Sequence, residues 1–482
     1  MHKTPRQSTS AAPSHGHGHG HGHGPAPAPA PGVAAGLLAL SLLVACPGAG
    51  EDGDGDDGST TTPASSGSTA ALPSSGGDDP CATPALGCPC PEQVCDAGEC
   101  IDGECQLPGT TTATTSADSE TGLDTEEPPA GCGNGVPEPG ELCYGQATFF
   151  GSPAEAVFAS FADLDGDGHL DLLVAGSTAN VVAVRLGDGT GNLGPESTYP
   201  AGPHPVALGV GLFDEDDDLD VVVAQQLGNA VAVLLGDGTG ALEAALSFDA
   251  GTAPSALLVF DFDLDGRADV LTTNAGSNDV TFLQGTNFGF AAPLAFSVGA
   301  SPSDLAVGEL SSDANLDLVV TNRSADSFGV LLGTGLATLG AHTATPTGVQ
   351  PSALALADFN GDGNLDLVTA NLGTDDLRLR FGDGSGSFAA EIPFPMGADP
   401  RTLVHLDFDG DGNLDLAVAN SGADEVTVLL GMGGGLFAPA AVFEVGDQPW
   451  GLAAGDLDED GIADIVVTNI GDQTLGVLLS DA

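Results

Sequence analysis

Asp407-Phe408-Asp409-Gly410-Asp411-Gly412-Asn413-Leu414-Asp415 carries acids at its first, third, fifth and ninth positions and a glycine at its sixth. Acids at alternate positions, a tight turn and a further acid wrap oxygens around one point. That donor set suits a hard cation. Ca2+ takes about six to eight oxygen ligands, and glycine enters the left-handed turn without steric cost. Without an ion, four like charges would crowd together and repel. A helix-flanked EF-hand loop would carry its last acid further along. Here Leu416-Ala417-Val418-Ala419 follows at once, so the loop joins two strands.

The pattern recurs along the chain. Its last acid falls at Asp171, Asp220, Asp269, Asp317, Asp366, Asp415 and Asp464, at intervals of 49 or 48 residues. Repeats at a nearly fixed period of this size mean a solenoid or a propeller. Within one period, 400–449, an apolar run at 402–406 enters the acid loop and a second leaves it at 416–419. Asn420-Ser421-Gly422 turns the chain into a third run at 426–430. A glycine-rich turn, 431–435, then leads to a fourth within 437–445. Gly and Asn stand where reversals need unusual dihedrals. The runs are nearly continuous in Val, Leu and Ala, which fits strands buried on both faces. Four strands per unit, arranged radially, make a β-propeller. The expected fold is therefore all-β, with seven blades over residues 145–482. No useful helical period appears there.

The seven in-phase copies resemble FG-GAP/VCBS repeats, which build the seven-bladed propeller of integrin α subunits, of several bacterial surface proteins and of fungal lectins. The resemblance implies Ca2+ in the acid loops on the bottom face and partners on the opposite, top face. Five loops carry the full set of oxygen ligands: Asp163, Asp165, Asp167 and Asp171; Asp261, Asp263, Asp265 and Asp269; Asp358, Asn360, Asp362 and Asp366; Asp407, Asp409, Asp411 and Asp415; Asp456, Asp458, Asp460 and Asp464. The second loop departs, with Leu212 first and Asp217 in the glycine place. So does the fourth, with Glu309, Ser311 and Ala314. Five Ca2+ sites are expected, with two weak or empty loops.

The two ends of the repeat region are complementary. The seventh unit stops at 480–482, where its third strand meets a turn, and residues 145–153 hold the phase of a fourth strand, matching 194–202. The earlier segment is expected to complete the last blade. Closure removes the unpaired edges that invite aggregation.

Connections from a fourth strand to the next first strand lie on the top face. They carry Pro205, Pro254, Pro302, Pro351, Pro400 and Pro449, each 15 residues before the loop's last acid. The following residues, Val206, Ser255, Ser303, Ser352, Arg401 and Trp450, should rim the central opening, with Val157 at the equivalent point of the first blade. Trp450 is the only tryptophan in the chain. Trp and Arg are enriched at binding hot spots, which makes Arg401 and Trp450 the candidate ligand-binding pair. The competing reading is a tryptophan plugging the channel mouth. His405, below them, reads as a core histidine.

The chain has 482 residues, of which 68 are acidic and 8 basic, for a formal charge of -60. No nucleic-acid partner is expected, because phosphate binding needs a basic footprint. Residues 33–45 form an apolar run of 13 residues, short of the roughly 20 that span a bilayer as a helix. The run follows Lys3 and Arg6 and ends in Leu43-Val44-Ala45-Cys46. That ending resembles the lipobox of a bacterial lipoprotein signal. It implies removal of residues 1–45 as a signal peptide, lipid on the Cys46 sulfur and membrane attachment through that lipid. The location would be an outer-membrane lipoprotein at the cell surface or in the periplasm. An ordinary signal peptide cleaved nearby is the alternative. The His-Gly alternation from His15 to His23 lies inside the removed segment.

Residues 46–80 and 106–131 are polar and low in large apolar groups, and read as flexible linkers. A cysteine-rich knot at 81–105 carries Cys81, Cys88, Cys90, Cys95, Cys100 and Cys105. Cys132 and Cys143 bound a segment at 132–143 that resembles the short cysteine-rich repeats of exported myxobacterial proteins. Eight cysteines in an exported chain read as disulfides, with zinc as the alternative. No nucleophile elbow, zincin helix, phosphate loop or Ser/His/Asp set is present. The expectation is a non-enzymatic, monomeric, calcium-stabilised binding or adhesion module that recognises a surface glycan or a protein. The alternatives are a polysaccharide-active lyase or hydrolase and a passive surface scaffold.

Overall fold

The apolar runs flanking each acid loop pair as antiparallel strands, and the Gly- and Asn-bearing turns return the chain twice more. In the sixth unit the four strands are Pro400–Leu406, Asp415–Asn420, Glu425–Leu429 and Ala441–Glu444, hydrogen-bonded in that order. The computed structural model describes residues 99–101, 104–106, 142, 144–335 and 337–480. Seven such four-stranded sheets are present. Their first strands, Ala156–Ala162, Pro205–Gly211, Pro254–Phe260, Pro302–Gly308, Pro351–Ala357, Pro400–Leu406 and Pro449–Gly455, meet in ring order, and the last adjoins the first. The molecule is a seven-bladed propeller. Among the described residues the sole helical piece is the 3-10 turn Arg323–Ala325.

Burial follows position within the blade. Every residue of all seven second strands is buried, because a neighbouring blade covers each face. The fourth strands are four residues long and mostly exposed. Two-sided burial therefore belongs to the inner strands, and the outer strand alternates. The core is divided among seven apolar clusters, one at each interface between adjacent blades. Each blade is thus held by both neighbours rather than by one central core.

The seventh blade is completed from the other end of the repeat region. Thr148–Gly151 pairs antiparallel with Thr474–Leu478, with Thr148 opposite Val477 and Gly151 opposite Thr474. Tyr144 bridges Ser480, as Leu193 bridges Gly187 one blade on. Its ring is buried between the sixth and seventh blades, edge-on to Phe443, and its hydroxyl donates to the Ala463 carbonyl at 2.5 Å. The chain therefore enters the propeller, and reaches Ser480, in a third-to-fourth-strand turn. These turns share a face with the acid loops: Gly191, Gly386 and Gly435 donate backbone bonds to Leu457, Leu310 and Phe359 in the loops of the preceding blades.

The other described unit is a hairpin, Glu99–Ile101 with Glu104–Gln106, in which Cys100 stands opposite Cys105. The expectations for Cys46 and for the cysteines at 81, 88, 90, 95, 132 and 143 lie outside the described residues.

Candidate functional site

The ninth loop position holds the most constrained side chain of each repeat. Asp171, Asp220, Asp269, Asp317, Asp366, Asp415 and Asp464 are all fully buried. One carboxylate oxygen accepts from the backbone N–H of the second loop residue, at 2.6 to 3.1 Å in the seven blades. The other accepts from the N–H sixteen residues further on, at 2.6 to 2.9 Å. That second donor is Gly187, Gly236, Gly285, Gly333, Gly382, Gly431 or, in the seventh blade, Ser480. At Gly187 a Cβ would meet the Leu170 carbonyl oxygen at 2.1 Å, so a close backbone approach selects glycine there. The bond staples the acid loop to the turn after the third strand. Its one trace in the sequence is the recurrence of glycine at that spacing in the first six repeats.

The remaining acids gather around this staple. Ligand oxygens of Asp163, Asp165 and Asp171 lie within 4.8 Å of one another, as do those of Asp261, Asp263 and Asp265, of Asp407, Asp409 and Asp415, and of Asp456, Asp458 and Asp460. The loops' own amides preset the first-position acid. The N–H groups of Gly166, Asp167 and Gly168 all donate to Asp163, and those of Asp411 and Gly412 to Asp407. Asp167, Asp269, Asp411 and Asp464 stand in the same loops outside the closest groups.

The fifth loop keeps the backbone path. Gly361, Asp362 and Gly363 donate to Asp358. Asn360 accepts from the Asp362 N–H at 2.8 Å, and its amide nitrogen faces the Asp362 and Asp366 carboxylates. Where the third-position aspartates turn a second oxygen inward, this loop offers a donor. The fourth loop also keeps the path, with Ser312 and Ala314 at φ 55 and 65, and the Glu309 carboxylate takes the Asp313 N–H. In the second loop neither Glu215 nor Asp217 is left-handed, and Leu212 is 44% exposed.

Burial pushes the ninth-position carboxyls up, to about 6 for Asp171, Asp269, Asp366 and Asp464 and about 7 for Asp415. Asp165, Asp409 and Asp458 are raised as well, by burial and by the adjacent carboxylates. Each loop thus resists full ionisation by itself, and a divalent cation would relieve it. The donors are all oxygen, which fits Ca2+ and not a thiolate- or imidazole-seeking metal.

On the opposite face, the residue after each first-strand proline, and Val157 after Ala156 in the first blade, is a β-bulge, unpaired with the second strand. Arg401 and Trp450 are two of these residues, in adjacent blades. The Arg401 guanidinium lies 3.7 Å over the Trp450 ring, and its Nε donates to Ser421 Oγ at 3.1 Å. Both side chains are partly buried. His405 lies deeper, edge-on to Phe359, and burial lowers its pKa to about 4, as a neutral interior imidazole requires. Ser255, Ser303 and Ser352 donate to the Pro302, Pro351 and Pro400 carbonyls of the next blade at 2.7 to 2.8 Å, and Thr402 donates to Trp450 O at 2.6 Å.

No curated protein matches the chain. Among solved structures, BBS1N in complex with ARL6DN is 15% identical, covers 70% of this chain and 97% of its own, and superposes with a TM-score of 0.53. Hydrazine synthase from Kuenenia stuttgartiensis is 12% identical, with coverages of 69% and 96% and a TM-score of 0.50. At such identities the likeness concerns the propeller fold alone. The sequence itself matches the FG-GAP-like repeat six times in overlapping register, at 163–223, 213–272, 261–320, 310–369, 358–418 and 407–467. Those matches run unbroken over most of the chain, which belongs to the FG-GAP-like repeat family.

Proposed function

We propose that the propeller is a calcium-stiffened binding module that meets a glycan or protein ligand with its top face. Ca2+ would be held by the five acid sets, with the fifth the weakest because Asn360 supplies one neutral group. The ions are assigned a structural part, since a loop that surrounds its ion with oxygens leaves little room for substrate. The module would be carried on a lipid anchor at Cys46, at the cell surface or in the periplasm, as the lipobox-like sequence implies. The observation that carries the binding reading is the Arg401–Trp450 stack. Two bulky side chains stand together among the small rim residues Val206, Ser255, Ser303 and Ser352. They form one lopsided feature on the face away from the acid loops.

The test is a glycan array probed with calcium-loaded full-length protein, followed by affinity and melting temperature for Trp450→Ala and Arg401→Ala. Losing a hot-spot side chain costs about 2 kcal/mol or more, roughly thirtyfold in affinity. Unchanged affinity with lowered stability would make Trp450 a channel plug. Release of unsaturated or shortened oligosaccharides from a polysaccharide panel would replace binding with catalysis.

A further inference from the structure

Six arginines and no lysine follow residue 45. Four are neutralised locally: Arg185 by Glu196, Arg267 by Asp265, Arg378 by Asp376 and Glu391, and Arg380 by Glu391. Arg323 and Arg401 have no ion-pair partner among the described residues, and they share the top face. Arg323 opens the 3-10 turn that follows the second strand of the fourth blade, at the position that Ser421 holds in the sixth.

Arg401 is fixed by its stack on Trp450 and its bond to Ser421, which leave its two terminal nitrogens without an acceptor among the described residues. Burial, then the nearby charge of Arg323, hold its guanidinium below the usual arginine range, against the opposing pull of Asp399. A half-dehydrated planar fork, on a face that carries a second cation without an ion-pair partner, is complementary to a carboxylate, which such a fork binds through paired hydrogen bonds. The acidity of the rest of the chain repels a polyanion at distances up to a Debye length, about 8 Å in physiological salt. A ligand with one isolated carboxylate escapes that penalty.

The neighbouring rim adds a second requirement. The hydroxyl protons of Ser303 and Ser352 point at the Pro351 and Pro400 carbonyls, so these partly buried oxygens have acceptor lone pairs rather than donors to offer, although Ser303 Oγ also bonds Thr321 Oγ1. A polyol supplies the matching donors, whereas an acidic peptide side chain supplies none.

We propose that the rim of the fourth to seventh blades binds a sugar acid, its carboxylate on the Arg401 fork and its hydroxyls toward Ser303 and Ser352. This rests on the top-face binding reading above. The experiment immobilises four probes: a neutral oligosaccharide ending in glucose, the same chain ending in glucuronate, the methyl ester of that glucuronate, and a peptide with one aspartate. Calcium-loaded full-length protein is expected to retain the glucuronate probe about tenfold better than the other three. Arg401→Lys, which keeps the charge and loses the fork, should abolish that preference, and Arg323→Gln should weaken it at an unchanged melting temperature. Equal retention of the glucose, ester and glucuronate probes would overturn the sugar-acid assignment and leave top-face glycan binding intact. Retention of the peptide over the glucuronate probe would also overturn it. Binding to none of these probes, nor to anything on the broad array, would remove the binding reading itself.

Discussion

Asp220 separates two roles that coincide elsewhere. Its loop has Leu212 in the first position and no convergent acid group among the described residues, yet Asp220 still accepts the Phe213 and Gly236 N–H groups at 2.7 and 2.9 Å. The ninth aspartate is therefore kept for the staple even where the loop has lost its ligand geometry. Asp220→Ala leaves two buried donors unsatisfied, at about 1–3 kcal/mol each. A destabilisation of that order is expected in denaturant titrations, with and without chelator alike. Asp171, Asp269, Asp366, Asp415 and Asp464 add a pH signature. In calcium-free protein their folded pKa values, about 6 to 7, lie above those of the unfolded chain. Each carboxyl then binds its proton more tightly when folded. Its stabilising contribution is full below about pH 4 and is lost as pH rises through 6 to 7. Chelated protein should melt higher at pH 5 than at pH 8, and saturating Ca2+ should cancel or reverse the order, since the ion selects ionised ligands. A chelated protein that melts higher at pH 8 would contradict this. The sequence exposed the ninth acid as part of an oxygen set. It did not expose the staple, because the second donor arrives from a turn sixteen residues away whose approach depends on the packed blade.

At the scale of the element, the fourth loop holds Ala314 at φ 65, where five sister loops have glycine. A non-glycine residue there costs about 1–2 kcal/mol, partly offset by the greater freedom glycine has when unfolded. Ala314→Gly should raise stability by about 0.5–1 kcal/mol, read as a shift in denaturant midpoint. In the fifth loop, Asn360→Asp exchanges an inward amide nitrogen for oxygen and should tighten calcium binding there, seen in calorimetry as one more strong site. No change in either the isotherm or the stoichiometry would mean that Asn360 already ligates through its oxygen. Strand positions were largely legible, because the punctuation by Gly and Asn repeats with the period. The outer strand falls within the expected 437–445 but fills only Ala441–Glu444, as Phe437 is spent bridging Gly431 and packing against Phe359 and Phe394. The equivalent placement of Arg401 and Trp450 in adjacent blades was legible through the prolines, whereas the bulge at those positions was not. The partnerless state of Arg323 was not, because it depends on which turns lie near which acids in space.

Across the whole molecule, seven interfaces share the apolar core and one four-residue strand closes the circle. Removing residues 1–151 would delete Thr148–Gly151 and Tyr144 together, uncovering the edge of Thr474–Leu478 and the pocket beside Phe443. Such a truncation is expected to form higher oligomers in size-exclusion chromatography and to lose its sharp melting transition. A monomer with the parent melting temperature would show that the closing strand is dispensable. The same strand also sets how the protein would bear a load. Tyr144, just before the strand, lies on the acid-loop face, while Arg401 and Trp450 lie on the other. Tension applied at Tyr144 passes along the strand to Gly151, so the backbone bonds to Thr474–Leu478 are sheared together rather than peeled one by one. Past Gly151 the chain continues covalently into the first blade, which spreads tension around the wheel. Extension in a force spectrometer should accordingly begin with one abrupt rupture at the seventh blade, not with a gradual unravelling.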